Sequence, residues 1–488
     1  MLKMITQPSI FFLFFILIAQ IHAQSNLETT LLQFDQDPDL KYATFGFCAI
    51  DINRNRVVAQ RNPNKALAPA SSLKVVTTGV ALATLGADYQ FETYLQYDGS
   101  LQNGVLSGNL YIKGTGDPTL GSPFMKDVPS TEALMNSFVE VIRKQGIKKI
   151  NGAVVGDASF FDPQSITPTW QWGDIGNHYG TGVYGLNIHD NLYYIVFQQS
   201  SKFGAKPKIK HFRPSVPNLK MENLVTNAGR RTGDNAYVYV APYGENAYVE
   251  GTIPVGSSEF EVKGAVPNPP LLAANLLKNA LVEQGIQVSK GATTQRILKA
   301  RAERNTFYTH LSPKLVDIVK HTNEESRNMY CEALIKAIGL KRLQKATLVD
   351  GLAAVTEFWR SRGIDTRSFF IKDGSGLSAR NAVTAKTMAQ IMRKMHIDKV
   401  NFHDFYNQLA VVGKTGTTQR LCLGTSAVGN IHAKSGSMNR IRSYTGYATT
   451  KKGNLLSFSM IINNYSCSGY VMRKKFEKLM IAMAELNE

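Results

Sequence analysis

The chain has 488 residues, more than one ordinary hydrophobic core encloses, so two or three domains are expected. Hydrophobic residues at 43% and charged residues at 19% give a globular balance and exclude a disordered chain. A formal charge of +18 suits an anionic envelope or polymer, but no basic cluster interleaves with aromatics, so nucleic acid is not expected.

In chain order, Lys3 precedes the apolar run Ile10 to Ala19, and a short polar stretch ends at Ala23. A cationic start, an apolar segment too short to span a bilayer and a small-residue cleavage site predict a secretory signal over residues 1–23. An uncleaved anchor is the alternative. No Cys follows Ala23 and no second long apolar run occurs, so no stable membrane span is expected after cleavage.

Phe45 to Ile52 and Val57 to Gln60 read as two strands joined by a polar turn. A helix is predicted from about Ser72 to Leu85, stopping at Gly86. From about Tyr89 to Asn305 the texture changes to short strands broken by Gly, Pro and Asn, which predicts an inserted β-rich module. The helical pattern resumes near Leu311. Arg442 to Thr450 and Leu455 to Asn463 form a hairpin pattern across Lys451 to Asn454. The last helix, Tyr470 to Leu486, sets Phe476, Leu479, Met480, Met483 and Leu486 on one stripe. That stripe fits packing on a core sheet, or, with Arg473, Lys474 and Lys475, a membrane surface.

Chemistry concentrates in three short motifs. Ser71-Ser72-Leu73-Lys74 opens the first helix, and three residues make nearly one turn, so Ser71 and Lys74 share a face. A serine hydroxyl needs an adjacent base, and a desolvated lysine can serve. Ser326-Arg327-Asn328 stands at the start of the helical run 327–339, where Ser326 is also a good N-cap. Lys434-Ser435-Gly436-Ser437 immediately precedes a strand; a cation and two hydroxyls there suit a terminal carboxylate, and Gly436 permits close approach of substrate. The four cysteines (Cys48, Cys331, Cys422, Cys467) allow three pairings and the sequence selects none. They lack zinc spacing, and no H-E-x-x-H occurs, so no metal or other cofactor is expected.

The three motifs in this order resemble the active-site set of penicillin-binding proteins and serine β-lactamases. The stretches PASSLKVVTTGVALATLG (69–86), KGTGDPTL (113–120), WQWGDIGNHYG (170–180), DGSGLSARN (373–381) and GNIHAKSGSMNRIRSYTGY (429–447) narrow this. They are similar to the low-molecular-mass class C penicillin-binding proteins, the D-alanyl-D-alanine carboxypeptidase/endopeptidase family called penicillin-binding protein 4 (peptidase S13). The resemblance implies an α/β fold, a DD-peptidase/β-lactamase-like domain with an antiparallel sheet flanked by helices, interrupted by two nested β-rich inserted domains. The division is then 24–88, 89–305 and 306–488.

Carried over by motif, the resemblance makes Ser71 the nucleophile and Lys74 its base, with Ser326 and Asn328 as relay and Lys434 in support. Ser435, Gly436 and Ser437 would hold the substrate carboxylate, and the N–H groups of Ser71 and Ser437 the oxyanion. Asp174 and Tyr179 would face the free amino end of a peptidoglycan stem peptide, of the diaminopimelate type; a structural loop is the alternative reading. The implied location is the periplasm, and β-lactams would acylate Ser71. Arg327 departs from the Asp or Asn usual inside this triplet, which bears on local geometry or substrate preference. A second K-T-G at Lys414-Thr415-Gly416 is set aside because the strand-hairpin-helix ending follows Lys434. Asp373 to Leu377 is expected to be a structural loop near the site. A β-lactamase is disfavoured by the missing E-x-x-L-N motif and the large insert, and a non-catalytic sensor by the complete set of reactive side chains.

Overall fold

Strands from opposite ends of the chain build one antiparallel sheet: β1 (Thr44–Asp51), β2 (Arg56–Arg61), β3 (Ile431–Met438), β4 (Ile441–Thr449) and β5 (Leu455–Asn463). Their order is β2-β1-β5-β4-β3. The computed structural model describes residues 26–299, 302–402 and 405–487; the signal expected over 1–23 lies outside them. β5 reads LLSFSMIIN and is buried along its length except at its ends, as a central strand covered on both faces should be. β2 carries exposed Arg56 and Arg61 and ends the sheet on one side. β3, with the Lys434 motif, ends it on the other.

Alternation along β5 feeds two cores. Phe458, Met460 and Ile462 enter a layer with α1 (Asn26–Asp35) and the C-terminal α7 (Gly469–Ala484). Phe34 lies 4.5 Å from Phe45 and 5.6 Å from Phe476, ring to ring. Phe476, Leu479, Met480, Met483 and Leu486 are all buried in this layer, so the stripe packs on the sheet and not on a membrane surface. No helix among the described residues is long and apolar enough to cross a membrane.

On the other face, Ile461 and Tyr447 meet α2 (Lys74–Leu85), α3 (Leu315–Glu325), α4 (Asn328–Leu343), α5 (Leu348–Arg360) and α6 (Ala385–Ile397). α4 is buried on every side from Met329 to Gly339, because it is the middle of that layer. Its buried polar exceptions, Glu332 and Lys336, therefore need partners in the interior.

The stretch between α2 and α3 forms further sheets. Its five-stranded sheet runs 292–294, 154–157, 110–114, 92–97 and 305–311 in space. The last strand, Asn305–Leu311, pairs antiparallel with Glu92–Tyr97, so long-range pairing places it with the inserted sheets although a composition boundary cuts the chain at 305. Two three-stranded sheets follow, 208–213/192–198/259–265 and 220–228/246–254/235–239. Leu95, Ile112 and Phe138 share one hydrophobic cluster with Ile195, Val225 and Val249, so the inserted sheets have a common core. All four cysteines are free thiols.

Candidate active site

Ser71 sits in a single 3-10 turn, Ala70–Leu73, that leads directly into α2. The turn is held by two close approaches. A Cβ on Gly436 would lie 2.5 Å from the Pro69 carbonyl oxygen and 2.2 Å from Ser443 Oγ, so only glycine lets β3 lie against the turn. The sequence reading gave that freedom to substrate; the structure uses it for the protein's own backbone. A Cβ on Gly376 would lie 1.9 Å from the Ala70 oxygen, and Gly376 has φ +83°. Ala70 itself is left-handed at φ +47°, a strained residue beside the candidate nucleophile.

Lys74 is wholly buried, and its Nζ lies 3.0 Å from Ser71 Oγ, 2.5 Å from Asn328 Oδ1 and 2.7 Å from the Ser375 carbonyl oxygen. Those contacts join residues from α2, α4 and the 373–377 loop. Asn328 donates its other end to the Tyr179 carbonyl at 2.7 Å, so both sides of its amide are fixed. Lys434, also wholly buried, donates to Ser326 Oγ at 2.9 Å and to the Ser435 carbonyl at 2.8 Å. Burial pulls the pKa of both ammonium groups down. Cys331, Asp373 and Glu332 offset part of this at Lys74, whereas the positive charge of Lys74 pushes Lys434 further, well below the ordinary lysine value. The arrangement therefore sets an amine that readily gives up its proton against a partly accessible hydroxyl.

Ser71, Ser326, Asn328, Ser437, Asp174 and Tyr179 line one open cavity of about 640 Å³. Asp174 lies in the short helix Trp172–Ile175, with a carboxyl raised by burial and partly held down by a hydrogen bond from Tyr179. Tyr237 and Tyr239, unmarked by any motif, complete the wall beyond it. Ser435, on the same face of β3 as Ser437, donates to Thr417 Oγ1 at 2.7 Å. Thr417 follows the set-aside K-T-G, whose Gly416 opens the short 3-10 turn Gly416–Thr418 ahead of β3.

At three places the structure adds to the sequence reading or corrects it. Ser326 is no N-cap: it ends α3 in a left-handed conformation, φ +62°, and Arg327 takes the N-cap position of α4. Lys434 to Ser437 lie within β3, not before it. The 373–377 loop lies beside the site as expected, and its Ser375 backbone carbonyl accepts from Lys74. Glu332 holds that loop by accepting the N–H groups of Gly374 (3.2 Å) and Ser375 (2.9 Å). Its carboxyl is pushed up to about 7 by burial and by Asp373. Asp373 in turn accepts from Trp170 Nε1 at 2.8 Å, which ties the loop to the inserted region.

Residues 25–486 match the sequence model of the D-Ala-D-Ala carboxypeptidase 3 (S13) family. The chain belongs to this family. It is thus a hydrolase of the D-Ala-D-Ala carboxypeptidase type. Among S13 relatives, D-alanyl-D-alanine carboxypeptidase DacB of Haemophilus influenzae is 28% identical, covering 86% of this chain and 85% of its own. The D-alanyl-D-alanine carboxypeptidase of Actinomadura sp. (strain R39) is 26% identical, covering 88% and 80%. The crystal structure of penicillin binding protein 4 from H. influenzae superposes with a TM-score of 0.77 at 26% identity, over 90% of this chain and 95% of that one.

Proposed function

We propose that the protein is an exported serine carboxypeptidase that removes the terminal D-alanine of peptidoglycan stem peptides through an acyl-enzyme on Ser71. The observation that carries this reading is the placement of the wholly buried Lys74 Nζ between Ser71 Oγ, Asn328 and the Ser375 carbonyl. Ser71 Oγ attacks the carbonyl of the penultimate D-alanine while its proton passes to neutral Lys74. The N–H groups of Ser71 and Ser437 take the developing oxyanion. On collapse the C–N bond breaks; Ser326, oriented by Lys434, gives its proton to the departing D-alanine amine and recovers one from Lys74, which becomes neutral again. Water then hydrolyses the ester, yielding the shortened peptide acid and free Ser71.

Ser437 and Ser435, the latter with Thr417, receive the terminal carboxylate, and Gly436 keeps the strand flush with the turn. Asp174 and Tyr179 face the free amine of a diaminopimelate-type side chain, where a carboxylate suits an ammonium. When the departing amine belongs to a second stem peptide, the same steps cut a cross-link, which makes the protein an endopeptidase as well. The name of the Haemophilus penicillin binding protein 4 supports acylation of Ser71 by β-lactams, whose ring carbonyl takes the place of the peptide. The basic charge and the apolar start support action in the periplasm.

Mass spectrometry of purified muropeptides after incubation tests the reading. Release of D-alanine from pentapeptides and conversion of cross-linked dimers to monomers are expected. Unchanged muropeptides with folded protein would defeat it.

A further inference from the structure

We infer that Arg327 is a positioning residue, which holds Ser326 and Asn328 in the cleft by tethering the turn between them to the inserted region. This rests on the proposed acyl-enzyme reading. The turn joins α3 to α4 and needs an external hold for two reasons. Ser326 adopts φ +62°, a conformation that costs energy for any residue with a side chain. Arg327 takes the N-cap position of α4 without a side-chain capping hydrogen bond, so the local device that fixes most such turns is missing.

The arginine reaches outward instead. Its guanidinium stacks 3.9 Å from the centre of the Phe124 ring, and Nη1 lies 3.7 Å from Asp190 Oδ2. Both partners belong to the inserted region, more than a hundred positions earlier in the chain. Asp190 is the middle of three consecutive left-handed residues, His189, Asp190 and Asn191, at φ +55°, +53° and +54°. That run is pinned, since Asn191 Nδ2 donates to the Gly182 carbonyl at 2.8 Å and to Asn187 Oδ1 at 2.8 Å. Asp190 also accepts from the Tyr330 hydroxyl at 3.2 Å, one turn into α4. The Asp190 side chain is only 4% exposed, so the arginine has a fixed, desolvated anchor in place of a mobile surface partner.

The consequence lies in the site. Ser326 Oγ meets Lys434, and Asn328 meets Lys74 and the Tyr179 carbonyl, so both neighbours of Arg327 touch reacting or substrate-facing groups. A displacement of about 1 Å there costs on the order of a hundredfold in rate without removing a reactive atom.

The test measures acylation by a fluorescent penicillin on the full chain for wild type, R327Q, R327K, D190N and the R327Q/D190N double variant. Rates are expressed per titrated active site, so partial misfolding does not enter. R327Q and D190N are each expected to slow the acylation step by about ten- to a hundredfold, with apparent affinity changed less than about threefold. R327K, which keeps the charge toward Asp190 without the planar stack, is expected to lie between R327Q and wild type. The double variant is expected to be no slower than the slower single variant, because both remove one tether. Per-site rates within about twofold of wild type for R327Q and D190N would overturn the inference, as would losses that multiply in the double variant. Should R327Q yield no folded protein, D190N and R327K decide alone by the same criteria. If wild type itself fails to acylate at Ser71, the functional reading falls first, and the two failures are told apart.

Discussion

Glu332 and Lys74 are joined through one residue: Ser375 gives its N–H to the Glu332 carboxylate at 2.9 Å and its carbonyl oxygen to Lys74 Nζ at 2.7 Å. The carboxylate both fixes the acceptor that Lys74 uses and, when charged, raises the lysine's pKa.

Glu332→Gln separates those effects. Loss of the negative charge lowers the pKa of Lys74, so the free amine forms at lower pH and the acid limb of the acylation profile moves toward acid. Loss of one acceptor loosens the 373–377 loop and lowers the maximal rate, by about tenfold. Acylation rates measured against pH check both directions; an acid limb that stays put or moves toward alkali contradicts the coupling.

Ser326 offers a comparison between hydroxyl and backbone. Ser326→Ala and Ser326→Gly both remove the group that meets Lys434, so both should lose activity equally, by about a hundredfold. The glycine variant should be the more stable of the two by about 1 kcal/mol, since φ +62° is free for glycine alone. Denaturant melts and titrated rates measure the two quantities independently.

Gly376→Ala tests the close approach behind the nucleophile. The added methyl would meet the Ala70 carbonyl oxygen at 1.9 Å and the Ser71 nitrogen at 3.1 Å, both backbone atoms. The turn must move, so acylation should fall by more than about a hundredfold, with a stability loss of about 1–3 kcal/mol. Near-normal acylation would show that the turn has room to spare.

Asp174→Asn addresses substrate choice. For a stem peptide with a free side-chain amine, KM should rise about tenfold or more, the value of one charge-assisted hydrogen bond. For the same peptide with that amine acetylated, wild type and variant should be alike. Equal losses on both substrates would make Asp174 a structural residue of its loop.

The sequence made some of these relationships legible and hid others. Ser71 and Lys74 could be paired because one helical turn is a local rule, and the two hairpin strands that follow the Lys434 motif because period and hairpin signals are local too. The capping role that the residue type of Ser326 also allows is not taken up, because its conformation is imposed by the junction of two helices that pack on the same core. The Ser375 carbonyl carries no side-chain signal at all, and Glu332 reads as one more polar residue until α4 proves buried on every side. Thr417 was hidden beside a K-T-G that diverted attention from its neighbour. The strand at 305–311 depends on a partner at 92–97, which no local pattern reports.

Peptide mapping by mass spectrometry after brief exposure to a penicillin tests the central claim most directly. The account predicts one covalent adduct per chain, on the peptide that carries Ser71, and none on folded Ser71→Ala protein. An adduct on another residue, or labelling that persists in Ser71→Ala, would contradict it.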